Sequence, residues 1–318
     1  MKRVIIAGPF REDEKKIFCD LSSELECVFV DQQAVTTQML STAQALIGNV
    51  ASSMLANQPQ LEWVQLVSSG ADKYVGVDYL SQNLIMTTST GAYGVGIAEY
   101  MVSMLLAMMK KIPGYFENQK KGLWMDNGMV TTPYSKRVLI VGTGDIGLEF
   151  AKRMRAFGCK LVGIRRRGGV CPEELDEIYT IDCLKEQLAL ADVVAVCLPG
   201  TKSTFHLFDE EILSCCKEGS YFMNVGRGNV IPLDAFLNDN IANRFAGIWL
   251  DVCEIEPLPE QHPLYYVPNL LITPHITGGF HLDLTMEKIF QISLHNMKAW
   301  LGEGNYIHVL DLDTGYCK

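Results

Sequence analysis

The chain has 318 residues, 48% hydrophobic and 20% charged, with a formal net charge of −10. That length suits about two domains, and the composition excludes a disordered chain. The acidic balance excludes a general nucleic-acid binder, which needs a basic face to displace counterions from phosphates.

In chain order, short apolar runs come first: "RVIIAG" (Arg3–Gly8), "CVFV" (Cys27–Val30), "ALIG" (Ala45–Gly48), "WVQLV" (Trp63–Val67) and "LIMTT" (Leu84–Thr88). They read as buried strands, and the stretches between them are long enough for helices, so a parallel sheet of βαβ units is predicted. "GIAEYMVSMLLAMMKKI" follows, with Ile97, Met101, Leu105 and Met108 at the spacing of a core-facing helix. From Pro113 to Lys136 the pattern breaks up. It restarts at "KRVLIVGTGDIG" and continues through the strands "KLVGI", "DVVAVCLP", "SYFMNVG", "FAGIWLDV" and "LLITP". The tail from about Leu284 reads as one amphipathic helix. The apolar run Tyr100–Met109 is too short to span a bilayer. Ten scattered cysteines without CxxC spacing, and no signal peptide, predict reduced thiols in a cytoplasmic chain with no disulfide frame, metal or membrane contact.

The restart carries chemistry. Gly142, Thr143, Gly144, Asp145, Ile146 and Gly147 form a GxGxxG between a strand and a helix. Such glycines allow a tight turn, backbone approach to a pyrophosphate, and close helix–strand packing. The helix N-terminus offers unpaired N–H groups and positive dipole to the phosphates. The residue meeting the adenosine ribose is expected roughly 20 residues on. Arg165 stands there, 23 residues past Gly142, in the run Arg165-Arg166-Arg167. Arginine cannot accept from ribose hydroxyls, but it can donate to a 2′-phosphate. The run therefore reads as an NADP clamp; the alternative is a solvated loop cluster.

Further on stand "CLPGTKST", "MNVGRGNVI", "WLDVCEIEPLP" and "NLLITPHITGG". In this order behind the glycine loop, they closely resemble the D-isomer-specific 2-hydroxyacid dehydrogenases. "GIAEYMVSMLLAMMKKIPG" resembles that family's crossover helix, "KGLWMDNG" the segment after it, and "SSGAD" a loop of its first domain. The resemblance implies two doubly wound parallel-sheet α/β domains. A flavodoxin-like substrate domain would span residues 1–103 and 284–318, and an inserted Rossmann dinucleotide-binding domain 104–283. It assigns Arg227 to the substrate's carboxylate and carbonyl, His275 to acid–base transfer, and Glu256 to pairing with His275. Asp251 matches an aspartate near the nicotinamide carboxamide. Leu198, Pro199, Thr204 and Val225 join the cofactor contacts, and the N–H groups of Ser69 and Gly70 would hold the substrate carboxylate from the first domain, with "SSGAD" facing "GRG" and "TPH" across a cleft.

The residue types suit the reaction. Reducing a 2-keto acid requires a fork of donors for a carboxylate and a group that gives and recovers a proton near neutrality. The implied activity is NADPH-dependent reduction of glyoxylate, hydroxypyruvate or a bulkier 2-keto acid by a homodimer, with an apolar face on the Met-rich crossover helix. A cofactor-sensing, co-repressor-like binding protein on the same scaffold is the alternative. Glu254, His206, His262, His281 and His295 are assigned to the solvated surface. Tyr100 and Trp249 depart from the family pattern and are expected to pack in the core.

Overall fold

The computed structural model describes residues 1–77, 80 and 83–317. Two compact units emerge: Met1–Tyr93 with Phe280–Lys318, and Gly94–Gly279. Residue 103 lies inside an unbroken helix of the second unit, Gly94–Met109.

In the first unit the chain runs β1 (Lys2–Ile6), α1 (Glu12–Cys19), β2 (Leu25–Phe29), α2 (Thr37–Leu40), β3 (Ala45–Ile47), β4 (Trp63–Gln65) and β5 (Ile85–Thr87). The strands pair in parallel in the order β2-β1-β3-β4-β5, the flavodoxin-like order. Val4, Ile5, Leu46, Ile47 and Val64 are buried, as expected of a parallel sheet covered on both faces, whose strands read as apolar runs.

The second unit holds α3 (Gly94–Met109), α4 (Ile112–Lys120), β6 (Arg137–Val141), α5 (Asp145–Arg155), β7 (Lys160–Arg165), β8 (Glu177–Thr180), α6 (Leu184–Leu190), β9 (Val193–Val196), α7 (Glu210–Ser214), β10 (Ser220–Asn224), α8 (Asp239–Ala242), β11 (Phe245–Leu250) and β12 (Leu270–Ile272). Its seven strands lie in the order β12-β11-β10-β9-β6-β7-β8, all parallel. This is the Rossmann order with one strand added, and the order reverses between β6 and β9, where ligands of such sheets bind beyond the strands' carboxyl ends. The chain then returns to the first unit as α9 (Asp283–Trp300). There Phe290 packs edge-on against Phe18 of α1 at 5.3 Å. The buried Asn296 donates to Gln65 Oε1 at 2.8 Å.

Three readings are corrected, and one strand is added. Helix α4 occupies part of the stretch expected to be irregular; Pro113 sits in its first turn, where a missing N–H costs nothing. Strand β8 is half-buried at the sheet edge and lacks the apolar run of its neighbours. On α3, Met109 rather than Met108 is fully buried, and Met108 packs over Gly247. Tyr100 is 40% exposed, while Trp249 is fully buried. Among the described residues, no helix is long and apolar enough to cross a membrane.

Candidate active site

The glycine loop joins β6 to α5. Gly142 has φ +103°, and a Cβ there would lie 2.7 Å from Cys197 O. A Cβ on Gly147 would meet Gly142 O at 2.2 Å, so that position needs glycine for packing. Gly144 differs: a Cβ there would find no protein atom within 4 Å. Its bare backbone leaves open space before α5, whose N-cap, Gly144 itself, supplies no side-chain cap. A helix start without a side-chain cap, open approach and the helix dipole together fit an anionic pyrophosphate. Thr143 and Ile146 lie within this loop and first turn. The Asp145 carboxylate accepts from the Gly94 N–H at 2.8 Å, tying the loop to the start of α3.

Arg165 ends β7 and folds back on its own loop. Its Nη2 donates to Val170 O at 3.1 Å, and Gly169, at φ +148°, leaves room for that nitrogen. Its Nε is buried with no hydrogen-bond partner. Arg166 and Arg167 are exposed.

Three loops follow β9, β10 and β11 at the carboxyl ends of their strands. After β9, Leu198 and Pro199 lead into a turn closed by Thr204, whose buried hydroxyl donates to Pro199 O at 2.6 Å and accepts from the Thr201 N–H at 2.8 Å. After β10 comes the buried Val225, then the "GRG" turn. Asn224, fully buried, donates through Nδ2 to Arg227 O and accepts from the Gly226 N–H, both at 3.1 Å. A Cβ on Gly226 would lie 2.3 Å from Leu198 O, and one on Gly228 only 1.9 Å from Cys253 O. Both glycines let backbones meet, and Gly228 seats the arginine loop against the loop after β11. Arg227 donates through Nη1 to Gly226 O at 2.9 Å.

His275 Nδ1 lies 2.7 Å from Glu256 Oε2, and Glu256 Oε1 accepts from the Cys253 N–H at 3.0 Å. His275 has φ +49°, a left-handed conformation uncommon outside glycine and frequent at functional sites. Its N–H donates to Asp251 O at 2.8 Å. The Asp251 carboxylate, 2% exposed, takes the hydroxyls of Thr273 and Thr277, each at 2.6 Å, and the N–H groups of Ile276 and Thr277. Those four donors fill a carboxylate's usual capacity, so Asp251 organises the loop that carries His275. Trp249 joins in, its Nε1 donating to Thr273 Oγ1 at 3.0 Å.

The hydrogen bond that His275 gives to Glu256 holds the imidazole above its ordinary value, against burial and the positive charge of Arg227. Burial pushes the Glu256 carboxyl up, yet the bond and charge of His275, the Cys253 N–H and Arg227 leave it below its ordinary value. A protonated imidazole against an ionised carboxylate, within the field of an arginine, can deliver a proton to an oxygen whose negative charge is growing.

In the first unit, Ser69 and Gly70 follow β4. Ser69 Oγ lies 3.4 Å from Thr90 Oγ1, and Ser68 Oγ donates to Gly70 O at 2.7 Å. Sequence reasoning missed one feature. Glu254 is not a solvated charge, nor is His206 an idle surface residue: His206 Nε2 and Glu254 Oε1 lie 2.6 Å apart. The two are 48 positions apart, and no spacing rule links them.

The family model described as "D-isomer specific 2-hydroxyacid dehydrogenase, NAD binding domain" matches residues 102–277, more than half the chain. The chain belongs to the D-isomer-specific 2-hydroxyacid dehydrogenase family. A glyoxylate/hydroxypyruvate reductase B from Pectobacterium carotovorum is 30% identical over 287 residues, covering 84% of this chain and 87% of that protein. A glyoxylate reductase from Thermofilum pendens is 30% identical over 242 residues, covering 74% and 70%. A D-isomer-specific 2-hydroxyacid dehydrogenase family protein from Aeromonas salmonicida has the same fold, with TM-score 0.85, 29% identity and coverage of 98% and 99%. The dehydrogenase resemblance seen in the sequence, the two parallel-sheet domains and a nicotinamide-dinucleotide domain are thereby borne out.

Proposed function

We propose that this dehydrogenase reduces a small 2-keto acid to the D-2-hydroxy acid with NADPH, the substrate being of the glyoxylate or hydroxypyruvate class. The observation that carries the reading is the His275–Glu256 pair at 2.7 Å with Arg227 charge acting on both. The names of the two relatives supply the substrate class. When bound, the nicotinamide supplies a hydride to the carbonyl carbon. Arg227 holds the substrate carboxylate with its planar fork of donors and stabilises charge on the carbonyl oxygen. Glu256 engages His275 Nδ1, so the proton delivered to that oxygen is the one on Nε2. Asp251 keeps the His275 loop in place toward the nicotinamide. The N–H groups of Ser69 and Gly70 are the further substrate-carboxylate donors.

The same reading assigns the dinucleotide phosphates to the loop Gly142–Gly147, with Leu198, Pro199, Thr204 and Val225 lining the rest of the cofactor's course. Arg165 takes the 2′-phosphate: its orphaned Nε is a buried donor without an acceptor, which favours NADPH over NADH. Arg166 and Arg167 add charge from the exposed side.

A homodimer is the assembly we assign. The segment after α4 carries Trp124 at 105% exposure and Met129 at 89%, with Leu123, Met125 and Tyr134 also exposed. So much apolar surface on one stretch marks an interaction site, and a second copy is the occupant a family dehydrogenase would bring to it. All ten cysteines are free, which fits a reducing, cytoplasmic setting.

The test is steady-state turnover of a panel of 2-keto acids with NADPH, in wild type and His275→Ala. Turnover should fall by about 10²–10⁴ in the variant, while NADPH binding, read by nucleotide fluorescence, persists. No turnover of any 2-keto acid by wild type, with NADPH still bound, would favour a cofactor-sensing protein instead.

A further inference from the structure

The pair outside the catalytic trio joins all three loops of the site. His206 ends the loop after β9, and its N–H donates to Asn229 O at 2.9 Å in the loop after β10. Its ring lies under that of Phe205, centroids 3.9 Å apart, on backbone at φ +50°. Glu254, in the loop after β11, takes His206 Nε2 on one oxygen at 2.6 Å and the Leu233 N–H on the other at 3.0 Å. The loops after β9, β10 and β11 are thus fastened through one carboxylate. Both side chains are largely covered, at 35% and 25% exposure.

What this fastening holds is next to the chemistry. Cys253, one residue before Glu254, gives its N–H to Glu256 Oε1. The Cys253–Glu254 peptide is the one Gly228 is pressed against, directly after Arg227. The Cys253 N–H belongs to the preceding Val252–Cys253 peptide, joined through the Cys253 Cα to the peptide that Gly228 packs on. Glu256 spends one oxygen on that N–H and the other on His275, so the placing of Cys253 sets how squarely the carboxylate meets the imidazole. The hydrogen bonds of this pair run to each other, to Asn229 O and to the Leu233 N–H.

We propose that His206 and Glu254 are a positioning pair for the acid–base machinery, holding Cys253 so that its N–H orients the Glu256 carboxylate toward His275. The proposal rests on the assignment of His275 as the acid. It predicts a specific consequence: with Glu254 truncated, Glu256 meets His275 less squarely, and His275 loses its proton at lower pH. A role confined to stability would lower the melting temperature and leave the pH profile alone.

The experiment uses the full chain with NADPH and the 2-keto acid that wild type turns over fastest. Glu254→Ala, Glu254→Gln, His206→Gln and, as reference, Glu256→Gln are compared by kcat, KM, Tm and the pH dependence of kcat/KM. Glu254→Ala should lose up to about 100-fold in kcat, the cost of an ångström-scale misplacement. Its alkaline limb should move down toward 6.5, the ordinary histidine value, with KM for NADPH unchanged. Glu254→Gln should recover most of the activity, because an amide oxygen still accepts from the Leu233 N–H. If Glu254→Ala does not fold, the His206→Gln limb decides in its place. A shifted limb in Glu256→Gln with unmoved limbs and kcat in the Glu254 and His206 variants overturns this proposal alone. An unmoved limb in Glu256→Gln overturns the His275–Glu256 assignment, and this proposal with it.

Discussion

Arg165→Asp tests cofactor choice where the structure separates three adjacent arginines. Arg165 is the one turned inward, with Nη2 on Val170 O at 3.1 Å and Nε buried without a partner. A phosphate oxygen at Nε would make a charge-assisted bond worth about 1.5–3 kcal/mol, or roughly 10- to 150-fold in preference for NADPH. Arg167 is exposed; an exposed charge contributes about 0–1 kcal/mol, so Arg167→Ala should change that preference by no more than about fivefold. Arg165→Asp replaces the donor by an acceptor that suits ribose hydroxyls and repels a phosphate, so the preference should reverse. The assay is kcat/KM with NADPH and with NADH at one ionic strength, since salt screens the exposed charges more than the inner one. Equal use of both cofactors by wild type would refute the reasoning. So would an Arg167→Ala variant that erases the preference as completely as Arg165→Asp.

The raised value of His275 predicts that kcat/KM for reduction holds above pH 6.5 and falls as pH passes the raised value; a wild-type limb at or below 6.5 would contradict it. For stability the signs are opposite for the two partners. The His275 contribution is complete below 6.5 and fades as pH rises through its folded value, whereas that of Glu256 is complete above 4.5 and fades as pH falls through its own. The Tm advantage of wild type over Glu256→Gln should therefore be widest between those values, and small, because both side chains are more than a third exposed. Sedimentation should give a dimer that Trp124→Ser or Met129→Lys weakens without lowering unfolding stability in proportion; a monomeric wild type at micromolar concentration would remove the dimer assignment.

What was legible in the sequence follows from what each residue must do alone. Strands such as Val138–Val141 and Val193–Val196 are buried on both faces, and that burial demands apolar runs a reader can see. The glycine loop is legible for a similar reason: φ +103° at Gly142 and a 2.2 Å clash at Gly147 exclude side chains locally. Strand β8, half-buried at an edge, has no such demand, and α4 hides behind a proline and a glycine that usually announce a turn. Arg227, Glu256 and His275 came with their motifs. Thr273 and Thr277 lie in the same motif as His275 yet carried no assignment, because their value lies in bonds to Trp249 and Asp251 that exist only once separate loops have met.

Glu254 and Glu256 show how sharply that limit falls. The two carboxylates are two residues apart and chemically alike, and nothing in their local sequence tells a solvated charge from a half-buried anchor. The fold distinguishes them by partner. Glu256 receives a peptide N–H and His275, so in the proposed reaction its charge acts on the proton that His275 delivers. Glu254 receives a peptide N–H and His206, so its charge acts on the position of backbone. Both use the same device, one oxygen on an N–H and one on an imidazole, and the N–H given to Glu256 belongs to the residue just before Glu254. Moving that backbone moves the acid–base pair. The acid–base pair we propose is therefore only as well oriented as the loop contact made by His206, a residue to which the motifs assign no role.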